Sequence, residues 1–286
     1  MIIALVTCYF PEEQNISNIF DIAKQVDLVV VCDNSNDSHE TYFKNTNNIK
    51  YVFFGENLGL SLAFNRILKS KEINWQDDDY ILFFDQDSRI SESYINNLKT
   101  EYDRLLNQKY SIGCLGPVYF NNSSQILEIP KKPIKKIDDD TYYVQSIITS
   151  SMMIQYKILK LIGFWNEEIF LDMADWDLCW RINQVGKMCM MTKKVIMNHT
   201  LGIGEKHIGP LRIRIGSPIR IYYQTRDCLY LLKQKYTPVI NKIMFIEMLT
   251  ARPIVHFIFL KDKRQRIHYY KRGIEDYIKK VKGAYK

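Results

Sequence analysis

The first third of the chain alternates short runs of branched and aromatic residues with stretches whose apolar positions recur every three or four residues. Ile2 to Tyr9, Asp27 to Cys32, Tyr51 to Phe54 and Tyr80 to Phe84 read as strands. Between them, Ile16, Ile19, Phe20, Ala23 and Val26, and later Leu60, Ala63, Phe64, Ile67 and Leu68, fall at helical spacing. Apolar strand runs belong to a sheet covered on both sides. Their alternation with helices predicts an α/β fold with a mostly parallel sheet. A helix from Ser91, its N-cap, to Leu106 leads into a further strand, Ile112 to Val118.

From Tyr119 to Asp140 the period is lost among polar residues, which marks a surface excursion. Order returns with Gln145 to Ile154, a short helix, a turn at Gly163-Phe164-Trp165, a helix across Trp176 to Val185 and a strand near Met188 to Val195. A glycine-rich loop, Gly202 to Gly209, follows His199, and the sequence from Pro218 onward is mainly helical. The expected division is a catalytic domain over residues 1–217 and a helical, basic extension over 218–286.

At 286 residues and 47% hydrophobic content, the chain can bury one substantial core with a small appendage. The net charge of +7 resides in residues 261–286, where ten Lys or Arg face three acids; residues 1–260 balance to zero. The six cysteines, Cys8, Cys32, Cys114, Cys179, Cys189 and Cys228, show no CxxC spacing and read as small buried residues of a reducing compartment. Met1 to Val6 has neither a basic n-region nor a cleavage site, so a cytoplasmic protein is expected. No run reaches the roughly 18 apolar residues of a membrane span.

Candidate chemistry concentrates in three places. Asp85-Gln86-Asp87 follows the apolar run Tyr80 to Phe84, which puts two carboxylates at the carboxyl end of a strand, where open α/β sheets bind ligands. Such a pair can share Mg²⁺ or Mn²⁺, whose remaining sites take water and phosphate oxygens. Asp172, Asp175 and Asp177 crowd the start of a helix with Trp176 and Trp180. They are either a cap with a solvated Asp177–Arg181 pair or a carboxylate held in a partly apolar cleft as a base. In Asn57 to Asn65, Gly59 opens a helix directly after a strand, and its free amides could hold phosphate or a nucleotide hydroxyl; a capping turn explains it equally. His199, after the last strand of the core, is a structural histidine or a ligand to metal or diphosphate.

In order and spacing, these segments resemble family 2 glycosyltransferases of the GT-A fold, especially the bacterial rhamnosyltransferase-like branch. The match runs from Val6-Thr7-Cys8-Tyr9-Phe10-Pro11 through Val31-Cys32-Asp33-Asn34-Ser35, Asn57 to Asn65, Asp85-Gln86-Asp87-Ser88 and Asp175-Trp176-Asp177-Leu178-Cys179-Trp180-Arg181, to His199-Thr200-Leu201-Gly202 and Tyr222 to Asp227. The resemblance implies a nucleoside diphosphate sugar donor, leaning toward dTDP-L-rhamnose with UDP-hexoses as the alternative. It implies donor contacts from Cys8, Tyr9, Asp33, Asn57, Gly59, Asn65, Asp85 and Arg226, and a metal held by Asp87 and His199. Asp175 would be the base, supported by Asp172, Asp177 and Arg181, and the anomeric centre would invert. Two positions depart from the family pattern: Phe10 stands where many members have Asn, and Ala174 where an acidic residue precedes the base.

The resemblance also implies a lipid-linked glycan acceptor for capsule, O-antigen or cell-wall synthesis. The aromatics of residues 218–281 with the basic end suggest docking on anionic lipid; alternatively they complete the core or a dimer contact. An apolar strand ending in Asp-x-Asp also opens haloacid-dehalogenase-like phosphatases, but there it is the first strand, whereas here about eighty residues precede it. A nucleic-acid binder would spread basic residues over a groove, and this body is neutral and acidic at its cleft, so no nucleic-acid partner is expected.

Overall fold

The computed structural model describes residues 1–121, 125–199, 204–208 and 211–286, and between 199 and 215 the description is of backbone alone. In chain order the elements are β1 (Ile2–Cys8), α1 (Glu13–Ala23), β2 (Leu28–Asp33), β3 (Ile49–Phe53), α2 (Gly59–Leu68), β4 (Tyr80–Asp85), α3 (Tyr94–Asn107) and β5 (Ile112–Asn121). They continue with β6 (Ile126–Glu128), β7 (Lys135–Lys136), β8 (Thr141–Val144), β9 (Met152–Gln155), α4 (Tyr156–Ile162), α5 (Ala174–Gln184) and β10 (Met188–His199). Last come β11 (Gly204–Ile208), β12 (Leu211–Ile215), α6 (Arg220–Lys233), α7 (Val239–Leu249), α8 (Ala251–Phe259) and α9 (Lys263–Ile278).

The main sheet has the order β3-β2-β1-β4-β9-β5-β10-β8-β7, with β6 paired to β5. Strands β3, β2, β1 and β4 are mutually parallel, as are β5 and β10, while β9 runs antiparallel between β4 and β5. Alternate residues of each strand enter opposite layers. Ile3, Leu5, Val30, Ile81 and Phe83 pack with α2, α4 and α5, and Ala4, Val6, Val31, Leu82 and Phe84 pack with α1 and α3. The register sets Thr7 beside Asp85 and Cys8 beside Asp33, so three strands end together.

Several local expectations change. Helix α3 begins at Tyr94, after Ser93 in a left-handed conformation, and Ser91 lies a turn outside it. The excursion after Tyr119 is partly ordered, because β5 runs on to Asn121 and pairs with β6. The stretch 145–154 divides, with β8 ending at Val144 and β9 starting at Met152. In the glycine-rich loop, 204–208 form β11 against β12, and residues 201–203 and 209–210 lie outside the described residues.

Residues beyond 217 wrap on the sheet domain through α6. Helix α9 lies along α6, and close approach requires Gly273: a Cβ there would sit 2.8 Å from the Tyr222 carbonyl and 2.9 Å from Thr225 Cβ. Tyr222, Tyr223 and Phe245 are buried, so these aromatics complete the fold. No helix among the described residues is long and apolar enough to cross a membrane.

Candidate active site

The carboxyl ends of β1, β2 and β4 carry the first half of the site. After β4, Ser88 donates its amide to the Asp85 carbonyl at 3.0 Å, which turns the chain so that Asp85 is half-buried and Asp87 exposed. Ser88 Oγ lies 2.7 Å from Ser150 Oγ. Burial, and then the charge of Asp87, push the Asp85 carboxyl up to about 6. Neither carboxylate has an ion pair among the described residues.

Gln86, between them, has a structural task that sequence reading missed. Its side chain accepts from the Tyr9 amide at 2.7 Å and donates to the Tyr9 carbonyl at 3.3 Å, and its carbonyl accepts from Asn15 and Asn18 of α1. The loop after β1 is thereby tied to the acidic turn. Tyr9 and Phe10 are exposed, meet edge to face at 4.8 Å, and Phe10 meets His39 at 6.5 Å. These three rings form an aromatic shelf over the ends of β1 and β2.

Asp33 lies under that shelf and is fully buried. One oxygen accepts from His39 Nδ1 at 2.8 Å and Tyr51 Oη at 2.6 Å, the other from the Ser35 amide at 2.9 Å. It therefore presents His39 to the cleft rather than its own carboxylate. Cys8 is buried, and its carbonyl accepts from Asn34.

Two further donor positions are corrected by their hydrogen bonds. At the start of α2 the amides of Leu58, Gly59 and Leu60 are taken by Asn34 Oδ1, Asn57 Oδ1 and the Phe170 carbonyl, so they are not free for phosphate. Gly59 is needed for the backbone: its φ is +74°, and a Cβ would stand 2.4 Å from the Phe170 carbonyl. Asn65, buried one and a half turns later, donates to the Trp165 carbonyl and Glu167 and accepts from the Trp165 amide. It clamps the segment before α5 and offers nothing to a ligand.

The second half of the site is the amino end of α5. Asp175, in its first turn, is half-buried, and among the described residues it accepts a hydrogen bond from the neighbouring Trp176 amide at 2.8 Å. Burial first, then the negative field of Cys179, Asp172 and Asp85, raises its carboxyl to about 7. Asp85 and Asp175, ninety residues apart in sequence, are thus close enough for the charge of the first to act on the second. Below them Cys114, Cys179 and Cys189 are buried with their sulfurs within 4.8 Å of one another, and all six cysteines are unpaired.

Asp177 and Arg181 do form the expected pair, at 2.7 Å, but it is buried instead of solvated. Asp177 also accepts from Asn166 at 3.0 Å and Tyr236 Oη at 2.5 Å, and Arg181 donates to the Ile162 and Phe164 carbonyls. Both hold the turn before α5 and do not support the base. Asp172 pairs with Arg220 and accepts from Gln224 of α6, which ties the loop before α5 to the extension.

Arg226 is 3% exposed, with its guanidinium over the Tyr222 and Tyr223 rings and Nη1 donating to the Gly283 carbonyl at 2.9 Å. The tail covers it, and in this conformation it does not reach a leaving group. His199 ends β10, and the backbone bridge between Arg89 and Asn198 brings that end beside the acidic turn; its side chain lies outside the described residues.

Residues 4–199 match the family model of glycosyl transferase family 2, and the chain belongs to that family of glycosyltransferases. It is 27% identical to the dTDP-rhamnosyl transferase RfbF of Shigella flexneri, over 96% of this chain and 93% of that protein. Among solved structures it is similar to GalNAc-T7 with UDP, GalNAc and Mn²⁺, at a TM-score of 0.57 and 13% identity over 86% of this chain and 54% of that one. It is also similar to S. aureus TarS, at 0.55 and 16% over 98% and 49%. The chain spans about half the length of each of those two structures, and the likeness establishes a GT-A-like fold.

Proposed function

We propose that the protein is an inverting, metal-dependent rhamnosyltransferase that uses dTDP-L-rhamnose and a lipid-linked glycan acceptor in the synthesis of a bacterial surface polysaccharide. The observation that carries the reaction is that Asp85 and Asp175 are both raised by burial and that the charge of Asp85 bears on Asp175. The donor follows from similarity along nearly the whole chain to RfbF. The acceptor and a working place at the inner face of the cytoplasmic membrane rest on the resemblance and the basic end.

Asp85 and Asp87 suit a hard divalent cation: two carboxylates, one half-buried and one open to solvent, without a countercharge among the described residues. When bound there, Mg²⁺ or Mn²⁺ supplies positive charge to the departing diphosphate. Ser88 and Ser150 fix the turn that aims both carboxylates, and the shelf of Tyr9, Phe10 and His39 fits the stacking of a nucleobase. Asp175 takes the proton of the acceptor hydroxyl as its oxygen bonds to the anomeric carbon. The bond from that carbon to phosphate breaks on the opposite side, and its electrons leave with the diphosphate. One displacement inverts the centre.

The test is transfer and donor hydrolysis measured across dTDP-rhamnose and UDP-hexoses, with and without Mn²⁺. Preference for dTDP-rhamnose with dependence on the ion supports the reading. Turnover of a UDP-hexose alone replaces the donor, and full activity in chelator removes the metal.

A further inference from the structure

We infer that the outward faces of α7 and α8 are the surface by which the protein docks on an anionic lipid bilayer. This deepens the reading of a membrane-borne acceptor and rests on it, yet the contact itself is independent of the sugar transferred. Large apolar side chains stand in water on two successive helices. On α7, Val239, Ile240, Ile243 and Ile246 are 53–74% exposed; on α8, Ile254, Phe257 and Ile258 are 46–60% exposed. Their spacing makes a stripe along each helix.

The orientation is set from inside. Phe245, on the inner side of α7, is fully buried and lies near Trp176 and Trp180 of α5, at 6.3 and 6.1 Å between rings. On α8, His256 is buried. The outward residues therefore cannot turn inward without opening the core. Helix α7 touches on its inner side the helix that carries Asp175, so a bilayer on its outer side lies one helix layer from the base.

Charge selects the occupant. Residues 235–264 carry six Lys or Arg against Glu247 and Asp262. Lys242, Arg252, Lys261, Lys263 and Arg264 have no ion pair among the described residues. A second copy packed on the same face would set one cation-rich surface against another, whereas lipid phosphates neutralise it. Apolar side chains at the acyl boundary with cations at headgroup level are the pattern of an interfacial helix. Neither helix is long enough to span.

The experiment is flotation of the full-length protein with phosphatidylcholine vesicles containing or lacking phosphatidylglycerol, beside sedimentation without lipid and lipid-free donor hydrolysis. The wild type is expected to float with the anionic vesicles and to be released by salt. Ile243→Asp with Ile254→Asp is expected to lower partitioning by at least about tenfold, with hydrolysis and melting temperature unchanged because both side chains are exposed. Equal flotation of variant and wild type overturns the proposal, as does a wild type that ignores anionic vesicles. A concentration-dependent dimer abolished by the same substitutions assigns the face to a second copy and also overturns it. Loss of donor hydrolysis in the wild type would strike the transferase reading while leaving the flotation result standing.

Discussion

Replacing Asp175 by Asn should sharply reduce transfer while making the protein more stable at alkaline pH. A carboxyl that titrates at about 7 when folded and near 3.8 when unfolded costs nothing below pH 4, where both states hold the proton. Between pH 4 and 7 only the unfolded chain ionises, so the native state loses stability as pH rises; above 7 the full cost is present. The displacement corresponds to about 4 kcal/mol. Because the carboxyl keeps contact with water, about 2 kcal/mol is expected. Asn removes that cost, so without added divalent cation the variant should melt about 4 °C above the wild type at pH 8 and level with it at pH 4. Transfer should fall by about 10² to 10⁴. In the wild type, kcat/KM should climb to a plateau above about pH 7, and residual activity of the variant should lack that limb. A variant that melts lower at pH 8 would refute the cost of burial, and one that transfers within tenfold of the wild type would refute the role as base.

Asp87→Asn should raise the Mn²⁺ concentration for half-maximal transfer by about tenfold, read by metal titration, since one of two hard donors is lost. His39→Ala should raise KM for the donor by about tenfold with a smaller change in kcat, as removal of one ring from a stacking shelf does. Gly59→Ala forces a side chain into a φ of +74° and against the Phe170 carbonyl; a loss of about 3 kcal/mol in chemical denaturation is expected, and an unchanged midpoint would show the approach to be loose. Asp177→Ala leaves Arg181 buried without its carboxylate and should cost about 3–5 kcal/mol, with hydrolysis by the surviving folded fraction near normal.

The parallel half of the sheet was legible because its strands are apolar on both faces and the intervening helices show a clean period. β1, β2, β3 and β4 fall within a few residues of the expected runs. Where the reading slipped, a local rule met a longer-range one. Ser91 is a good cap by type, but the chain makes a further turn through Ser93 before α3 starts. The polar excursion looked structureless because a two- or three-residue strand such as β6 or β7 has no period to detect; it is made by its partner. The extension's aromatics suggested an interface, yet Tyr222 and Tyr223 are buried against Phe170 and the tail, and the exposed apolar residues are mostly aliphatic.

Within the site, the residues that could be read were those whose position along a strand or helix settles their surroundings. Asp85 and Asp87 stand at a strand end, and Asp175 stands in the first turn of a helix. Residues whose neighbours arrive from elsewhere could not be read: Asn65 is occupied by Trp165, a hundred positions away, and Arg226 by Gly283. The contrast between Asp175 and Asp177 needed no distant information. At about 100° per residue, two positions along α5 turn a side chain by about 200°, so if one carboxylate faces the cleft the other must face away. Arg181, a full turn beyond Asp177, marks the inward side, where the pair meets Tyr236 and the turn before the helix. The period therefore divides this acidic cluster into two opposite faces, and the buried pair with Arg181 puts Asp177 on the inward one, which turns Asp175 the other way.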